Sequence, residues 1–380
     1  MDLYPCVAIT NKMDKSIVYP VRGCPEALTA RMVDESVVKD NEVGVSNKMK
    51  AVFYDKCGGP EVITLREVDA PVVGDYEVLI QVAATTFNRM DLWPRLDEND
   101  EIDASKKYPI GMECSGKILR TGKFVAGWKQ GDEVCALLQG GGCADLVAVP
   151  AYHIISPPKK LDLASAAALP RAACLIWHCF FLMNKLTNGQ KVLLQIHGGA
   201  GGVGTLAIQI AKHYGCQVFA TAGSKERVEL CAALGADVCI NHKEEDFSQR
   251  VKAETNGAGV NYILDCVGVN FLNQNVKSLA YRGKLIIIGF EDPWGFVNFN
   301  SKALEDMELE IMGADLNTLH LVEKARLLLL VKKNIWPLVE VGSIKPIIGR
   351  AYTFDKAVDA LRLIEKHGNL GKILLIPDNT

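Results

Sequence analysis

A glycine-rich turn between two apolar segments constrains the fold of this chain more than any other feature. Residues 192–196 favour a buried strand, and residues 205–212 favour a helix. Between them Gly199, Gly201 and Gly204 satisfy the pattern G-x-G-x-x-G. In the order strand, turn, helix this pattern predicts a dinucleotide site, because the glycines let the backbone approach a pyrophosphate at a helix N-terminus. The alternative is a glycine-rich turn that binds no ligand.

The end of the next strand indicates which dinucleotide this is. An NAD site usually places Asp or Glu there, about 20 residues after the turn, to hold the ribose 2′-hydroxyl. Residues 217–222 form the predicted strand, and no acid stands at its end. Ser224 can donate a hydrogen bond, and Lys225 or Arg227 can pair with a phosphate. The pattern favours NADPH over NADH, unless these residues are only the solvated first turn of a helix.

Composition limits the remaining classes. A chain of 380 residues with 49% hydrophobic residues suffices for two domains. The net charge of −3 predicts no nucleic-acid or membrane surface, and we expect no apolar run near the roughly 20 residues of a membrane span. The 12 cysteines form no C-x-x-C pair, which argues against a disulfide framework or a zinc site and favours a cytoplasmic enzyme.

Residues 1–48 are expected to be a flexible N-terminal extension. They show no sustained hydrophobic period and contain Pro5, Pro20 and Pro25. A signal peptide would need a basic start and an apolar core, and a transit peptide would be poor in acidic residues. Neither pattern is present.

The rest of the chain divides into a β-rich part and an alternating part. Strands are predicted at 50–54 and 76–82, short β segments continue to about residue 152, and a helical stretch at 163–186 is interrupted near Pro170. Strands and helices then alternate, which predicts a doubly wound parallel sheet. The predicted strands lie at 217–222, 237–241, 260–267, 284–290 and 309–313, and the helices between them at 224–234, 247–255 and 271–280. The fold class is therefore α/β, with a β-rich domain at 49–171 and 316–380 and a Rossmann domain at 172–315.

The chain resembles the medium-chain dehydrogenase/reductase superfamily, and within it the zinc-less quinone-oxidoreductase branch. The match covers about residues 49–378. The motifs that carry it are Asn88-Arg89-Met90-Asp91, Gly111-Met112-Glu113-Cys114-Ser115-Gly116, Gly131-Asp132-Glu133-Val134, the run from His197 to Gly204, Asp265-Cys266-Val267-Gly268 and Asn369-Leu370-Gly371-Lys372.

The resemblance implies a GroES-like catalytic domain packed on the Rossmann domain, with the active site in the cleft between them. It also implies bound NADPH, and a homodimer that pairs the edge strands of two Rossmann sheets, here residues 309–313. His242 stands where many relatives have a Tyr beside the 2′-phosphate, and the alternative is an exposed loop His. Lys372 matches a residue that reaches the cofactor, and the alternative is a solvated Lys. The implied cofactor-binding residues are Gly199, Gly201, Gly202, Val203, Gly204, Ser224, Arg227, His242, Asn369 and Lys372.

The same resemblance argues against zinc. Zinc alcohol dehydrogenases of the superfamily carry a Cys where Asn88 stands and a His where Met112 stands. Without thiolate and imidazole ligands no Lewis acid can polarise an alcohol. The remaining chemistry is hydride transfer to an acceptor that is already electron-poor, which depends mainly on positioning.

Asn88, Trp93 and Glu113 are the candidate catalytic residues. Asn88 matches a position that faces the nicotinamide and the substrate, and its amide can donate to a developing oxyanion; the alternative is a turn-stabilising Asn. Glu113 matches a cleft-lining position, with a buried, hydrogen-bonded carboxylate as the alternative. Trp93 replaces the Tyr of many quinone oxidoreductases, so a phenolic donor is lost.

Three further departures from the family pattern bear on activity. Leu175 replaces a usual Thr near the nicotinamide, Arg171 replaces a frequent Glu, and Cys143 replaces a common aromatic residue. We expect an NADPH-dependent reductase of quinones or enones. The alternatives are a 2-alkenal or other double-bond reductase, and a weakly active NADPH-binding regulatory protein.

Overall fold

The computed structural model describes residues 47–95, 110–186, 193–290, 299 and 301–378. The expected extension at 1–48 therefore lies almost wholly outside the described residues. The first strand begins at Lys48, one residue before the predicted start of the β-rich domain. All candidate site residues follow this strand in the sequence.

The β-rich part is organised around one long strand. The strands are β1 (Lys48–Tyr54), β2 (Ile63–Asp69), β3 (Glu77–Phe87), β4 (Glu113–Thr121), β5 (Glu133–Leu137), β6 (Leu146–Pro150) and β7 (Ile154–Ile155). The predicted strands at 50–54 and 76–82 are β1 and β3. β3 pairs antiparallel with both β4 and β6, and most of its residues are buried because it is covered on both faces.

The helical stretch is interrupted where the sequence predicts. α1 (Leu163–Ala166) begins after Asp162, whose side chain accepts from the Ser165 N–H, and α2 (Pro170–Trp177) starts on the proline, a favoured first helical residue. A π-helix, His178–Met183, continues α2. The expectation that no apolar run approaches membrane-span length is wrong here, since Leu163–Met183 has 21 residues and a mean hydropathy of 1.5. The hydropathy is that of an 18-residue window of this stretch, and 78% of that window is buried inside the fold, which is typical of a core helix.

The alternating part forms a parallel sheet. Its elements are β8 (Leu193–Ile196), α3 (Gly204–His213), β9 (Gln217–Ala222), α4 (Lys225–Ala233), β10 (Val238–Asn241), α5 (Phe247–Glu254), β11 (Val260–Asp265), α6 (Leu272–Ser278), β12 (Leu279–Ile287), α7 (Lys302–Asp306) and β13 (Glu310–Gly313). The strand order is β10-β9-β8-β11-β12-β13, and every pair is parallel. This is the doubly wound order, and it confirms the predicted Rossmann sheet. The order reverses beside β8, and ligands bind in such sheets at that point.

The chain then returns to the β-rich part. It runs through α8 (Leu321–Asn334), α9 (Trp336–Glu340), β14 (Ile348–Thr353), α10 (Ala357–Glu365) and β15 (Lys372–Ile376). β15 pairs with β3, so the second sheet has the order β14-β15-β3-β4-β5-β7. Each sheet takes its strands from one of the two predicted parts of the chain, although the domain limits themselves stay a prediction. One apolar cluster contains side chains of α2, α3, α8 and β9 and joins the two sheets.

Candidate active site

The glycine-rich turn connects β8 to α3. Some of its glycines are required for packing, and another leaves space open beside the turn. A Cβ on Gly204 would lie 2.2 Å from the Gly198 carbonyl oxygen, and a Cβ on Gly199 would lie 2.7 Å from the Cys231 Sγ. Both positions therefore need glycine for packing. A Cβ on Gly201 would meet only the Gly198 oxygen, at 3.2 Å, so the space beyond this residue stays open. That openness is what the approach of a pyrophosphate requires.

A cleft lies between the glycine-rich turn and the β-rich part. Because α3 begins at Gly204, the positive end of its dipole faces this cleft. The strand β15 enters next to the turn, since Gly371 donates its N–H to the Ala200 carbonyl at 2.7 Å. Eight of the predicted site residues line the cleft: Asn88, Gly201, Gly202, Val203, Gly204, Arg227, Asn369 and Lys372.

A basic corner lies at the end of β9. Ser224 precedes α4 in an extended conformation, and Arg227 lies on the first turn of that helix, where its Nη2 donates to the Asn369 carbonyl at 3.0 Å. A Cβ on Gly223 would lie 3.1 Å from the His242 Nε2 and 3.3 Å from the Lys243 Cε. The predicted residues Ser224 and His242 thus flank the same strand end, and the structure adds Lys243. This corner has the donors and the positive charge that suit a 2′-phosphate.

A buried polar cluster forms the floor of the cleft on the other side. The Lys372 ammonium donates to Glu113 Oε1 at 2.7 Å and to Asn88 Oδ1 at 2.6 Å. Asn88 in turn donates its Nδ2 to Thr86 Oγ1 at 3.2 Å and to Glu113 Oε1 at 3.3 Å. The stem of Lys372 crosses the glycine-rich turn, because a Cβ on Gly202 would lie 2.8 Å from its Cδ. Lys372 therefore connects the glycine-rich turn to the β-rich part.

Glu113 is held as a carboxylate. Its side chain is fully buried and accepts hydrogen bonds from Lys372, Thr86 and the Arg171 N–H, the last at 2.7 Å. Burial alone raises the pKa of Glu113, but the charge and hydrogen bonds of these partners outweigh it, so the pKa lies below its usual value. Glu113 faces Lys372 rather than the open cleft, which is the second of its two interpretations. It holds Lys372 and Asn88, which line the cleft.

Asn88 lines the cleft and also stabilises its own turn, while its role towards a substrate stays a prediction. Its side chain lines the cleft, while its N–H donates to Asp91 Oδ2 at 2.7 Å and its carbonyl accepts from the Asp91 N–H. Asp91 also accepts from the Gly111 N–H at 3.2 Å. This fully buried aspartate stabilises the turn that carries Asn88, and burial raises its pKa to about 6.

The departures from the family pattern lie behind the cleft. Leu175 is buried in the core on α2, and Cys143 is fully buried beside Gly111. The Arg171 side chain reaches the return connection to α8, where its Nη1 donates to Asn317 at 3.3 Å and its Nη2 lies 3.7 Å from Asp315. The backbone of Trp93 lies in the 3-10 turn Arg89–Arg95, and its side chain lies outside the described part of the structure.

Besides Lys243, two groups were missed by sequence reasoning. Thr86 joins the polar cluster, and its position two residues before Asn88 on a strand was a signal, because residues i and i+2 share a face. Arg89 lines the cleft and its Nη1 lies 3.4 Å from the His367 Nδ1, a contact between residues that no sequence spacing brings together. Across the described ranges, no group of three His, Cys, Asp or Glu side chains is placed to hold a metal ion.

The fold and the cleft define a two-domain, dinucleotide-dependent oxidoreductase. Two family models match the chain: "Alcohol dehydrogenase GroES-like domain" at residues 74–159 and "Zinc-binding dehydrogenase" at residues 202–330. The first model falls on the β-rich part, and the second covers most of the dinucleotide sheet.

The chain is similar to curated and structurally solved proteins over most of its length. It is 30% identical over 302 residues to the quinone oxidoreductase of Rattus norvegicus, covering 79% of this chain and 88% of that protein. It is 29% identical to the 2-methylene-furan-3-one reductase of Solanum lycopersicum, covering 79% and 71%. The crystal structure of Escherichia coli quinone oxidoreductase complexed with NADPH superposes with a TM-score of 0.79 at 23% identity, over 86% of this chain and 100% of that one. The chain belongs to the medium-chain dehydrogenase/reductase superfamily, in its quinone-oxidoreductase-like branch, and is an NAD(P)H-dependent oxidoreductase.

Proposed function

We propose that this chain is an NADPH-dependent reductase of quinones or other electron-poor conjugated carbonyls. The observation that carries the proposal is the pairing of two features on one cleft. A basic corner formed by Ser224, Arg227 and His242 lies at the end of β9, and a Lys372–Asn88 pair lies on the opposite floor. The names of the rat and tomato relatives agree with reduction of such acceptors.

The residues of the cleft fit NADPH. The glycine-rich turn leaves open the space that a pyrophosphate needs at Gly201, and the basic corner suits a 2′-phosphate. Bound NADPH would supply the hydride. Gly199, Gly201, Gly202, Val203 and Gly204 would hold the pyrophosphate, while Asn369, which is fixed by Arg227, would face the ribose side of the cleft.

The polar floor explains how the chain would favour the transfer. Negative charge develops on the oxygen of a quinone or enone as it accepts a hydride, and preorganised donors stabilise that charge. Lys372 and Asn88 line the cleft, and Thr86 and Glu113 fix their orientation. Acceptors that delocalise charge onto oxygen need this positioning and little further acid–base chemistry.

Cofactor preference can be tested with a charge-matched pair of variants. Arg227→Ala should weaken NADPH binding by roughly tenfold to a hundredfold, as expected for loss of a charge-assisted contact, and change NADH binding much less. Arg250→Ala removes the same charge from the exposed side of α5, where Arg250 pairs with Glu245 and Glu254, and should leave both affinities unchanged. Fluorescence titration of both dinucleotides provides the constants. Equal affinity of the unmodified chain for NADPH and NADH would contradict the preference.

The acceptor class can be tested by NADPH oxidation against a quinone panel, an enal panel and simple alcohols. We expect turnover of quinones or enones and none of alcohols. Asn88→Ala should lower kcat because it removes the Oδ1 that holds the Lys372 ammonium in the cleft, and a positioned donor acts most strongly as charge develops on the acceptor oxygen. Turnover of enals alone would favour the double-bond reductase alternative, which the tomato relative supports. Tight NADPH binding without turnover of either panel would favour the regulatory alternative.

We also propose that the enzyme is a cytoplasmic homodimer. β13 lies at one edge of the parallel sheet, paired on one side with β12. An edge strand presents N–H and C=O groups that a second copy can pair with. Replacing Ile311 at the middle of β13 with Pro should produce a monomer in analytical ultracentrifugation, and a variant that stays dimeric would place the interface elsewhere.

A further inference from the structure

A hydrogen-bonded network of four buried side chains crosses the parallel sheet beneath the glycine-rich turn. Thr221 at the end of β9, His197 after β8, Asn275 on α6 and Asp265 at the end of β11 are all at most 2% exposed. The Thr221 Oγ1 lies 2.7 Å from His197 Nδ1, and His197 Nε2 lies 2.6 Å from Asn275 Oδ1. Asn275 donates its Nδ2 to Asp265 Oδ2 at 2.9 Å. The chain of contacts spans the point where the strand order reverses.

The acceptor at one end fixes the direction of every hydrogen bond. The Asp265 carboxylate accepts, so Asn275 presents its amide nitrogen to Asp265 and its oxygen to His197. His197 must then carry its proton on Nε2, and its Nδ1 accepts from the Thr221 hydroxyl. The Gln195 Nε2 lies 3.3 Å from the same His197 Nε2, and because an amide nitrogen only donates, it offers no second acceptor for the His197 proton.

The imidazole of His197 is enclosed and neutral. Burial lowers its pKa, and the rings of Phe247 and Phe271 each lie 4.9 Å from it, centroid to centroid. A neutral imidazole has one donor and one acceptor, and both are used. Both ring nitrogens of His197 are therefore occupied, by Thr221 on one side and Asn275 on the other.

The two ends of this network hold the two turns that bound the cleft. The Thr221 carbonyl accepts from the Gly199 N–H at 3.0 Å, at the start of the glycine-rich turn. Asp265 Oδ1 accepts from the N–H groups of Val267 and Gly268, at 2.7 and 3.2 Å, in the turn after β11. Cys266 of that second turn lines the cleft. The separation of the two turns thus depends on groups that lie between them.

We propose that His197 and Asn275 are positioning residues that set the spacing between the two turns of the dinucleotide site. The proposal rests on the proposed binding of NADPH. A rigid spacing lets one cofactor engage the basic corner beyond β9 and the turn beyond β11 at the same time. If the network is broken, the two halves of the site can still form, but they lose their fixed separation.

The first test measures the proton position without any cofactor. Nitrogen-15 NMR of the unmodified chain should place the His197 proton on Nε2. In Asn275→Leu the acceptor is lost, and the proton should move to Nδ1, where the Thr221 hydroxyl oxygen can accept it. A proton on Nδ1 in the unmodified chain, or no change in the variant, would overturn the proposed direction of the network.

The second test measures coupling in NADPH affinity. Thr221→Val and Asn275→Leu should each weaken binding by roughly threefold to tenfold, since each removes one buried hydrogen bond. The double variant should lose little more NADPH affinity than either single variant, because the first substitution already removes the fixed spacing that the second would disturb. Losses that multiply would overturn the network.

Two controls separate this proposal from simpler causes. Ser278→Ala removes another buried hydroxyl from α6, one that bonds only to the Gln274 carbonyl among the described contacts, and it should leave the NADPH affinity unchanged. If Asn275→Leu does not fold, His197→Gln replaces it, because the Gln amide reaches the position of Nε2 with a donor for Asn275 and leaves no group at the position of Nδ1 to accept from Thr221. Its loss should then match that of Thr221→Val. Failure of the unmodified chain to bind NADPH would refute the proposed function and leave the NMR result standing.

Discussion

The ion pair of Lys372 and Glu113 permits a quantitative prediction for Lys372→Met. Glu113 is fully buried and Lys372 is 4% exposed, so the substitution leaves a buried carboxylate without its cation. Loss of one partner from a buried pair typically costs about 3–5 kcal/mol. Here Thr86, Asn88 and the Arg171 N–H still donate to the carboxylate, which favours the lower end of that range.

Protonation sets an upper bound on this cost and makes it depend on pH. A carboxyl group with an ordinary pKa of 4.5 costs about 3.4 kcal/mol to protonate at pH 7 and less than about 1 kcal/mol at pH 5. In the unmodified chain the pKa of Glu113 is lowered, so its stabilisation is present above 4.5 and is lost as the pH falls through the folded-state pKa. In Lys372→Met the pKa should be raised, so stability is lost as the pH rises. The two free energies of unfolding should therefore differ by about 3 kcal/mol at pH 7 and about 1 kcal/mol at pH 5.

Urea denaturation at these two pH values measures the difference, since a change in midpoint at constant slope reports stability. The double variant Glu113→Gln/Lys372→Met removes both charges and should recover much of the loss at pH 7. If Lys372→Met proves too unstable at pH 7, the two single variants can be compared at pH 5. There Glu113→Gln should lower the free energy of unfolding less than Lys372→Met does, because Lys372 can turn towards the cleft that it lines. A penalty that is the same at both pH values would refute this account of the pair.

Two further predictions follow from the described contacts. The pKa of Asp91 is raised by burial from 3.8 to about 6, so its contribution to stability is full below 3.8 and is lost as the pH rises through 6. Relative to Asp91→Asn, the unmodified chain should lose about 2 kcal/mol between pH 4 and pH 7, and parallel stability profiles would contradict this. A chain shortened to begin at Ser46 keeps Asn47, whose carbonyl accepts from the Ala70 N–H, and it should melt within a few degrees of the full chain and bind NADPH; loss of binding would assign residues 1–45 a role in the site.

The dinucleotide sheet was predictable because its signals are local. The glycine-rich turn and the neighbouring strands are each recognisable from a few consecutive residues. β9, for example, lies at 217–222 as predicted. The start of β12 was not predictable in this way: the strand begins at Leu279, whereas the sequence predicted residue 284. Leu279 pairs with Val260 across an irregular register, and Arg282 has a positive φ of 59°. This boundary is fixed by pairing with β11, which lies outside any local window.

The polar floor of the cleft illustrates the same limit for the site. Thr86 and Lys372 lie 286 positions apart and meet only because β15 returns to pair with β3. Sequence reasoning could identify Asn88, Glu113 and Lys372 one by one through the resemblance. It could not show that Glu113 faces Lys372 instead of the cleft, because that depends on the packing of two strands and α2.

The positions of the unusual residues bear on what kind of oxidoreductase this is. Leu175 and Cys143 are buried in hydrophobic cores. The Arg171 side chain contacts Asp315 and Asn317 at the connection to α8. None of these three contributes a side chain to the contacts that hold Lys372 and Asn88 within the described residues. Hydride transfer to an electron-poor acceptor depends on positioned groups, and the contacts that position Lys372 and Asn88 are intact. The departures should therefore alter the shape of the pocket and the stiffness of the connection, and hence which acceptor is reduced, more than whether reduction occurs.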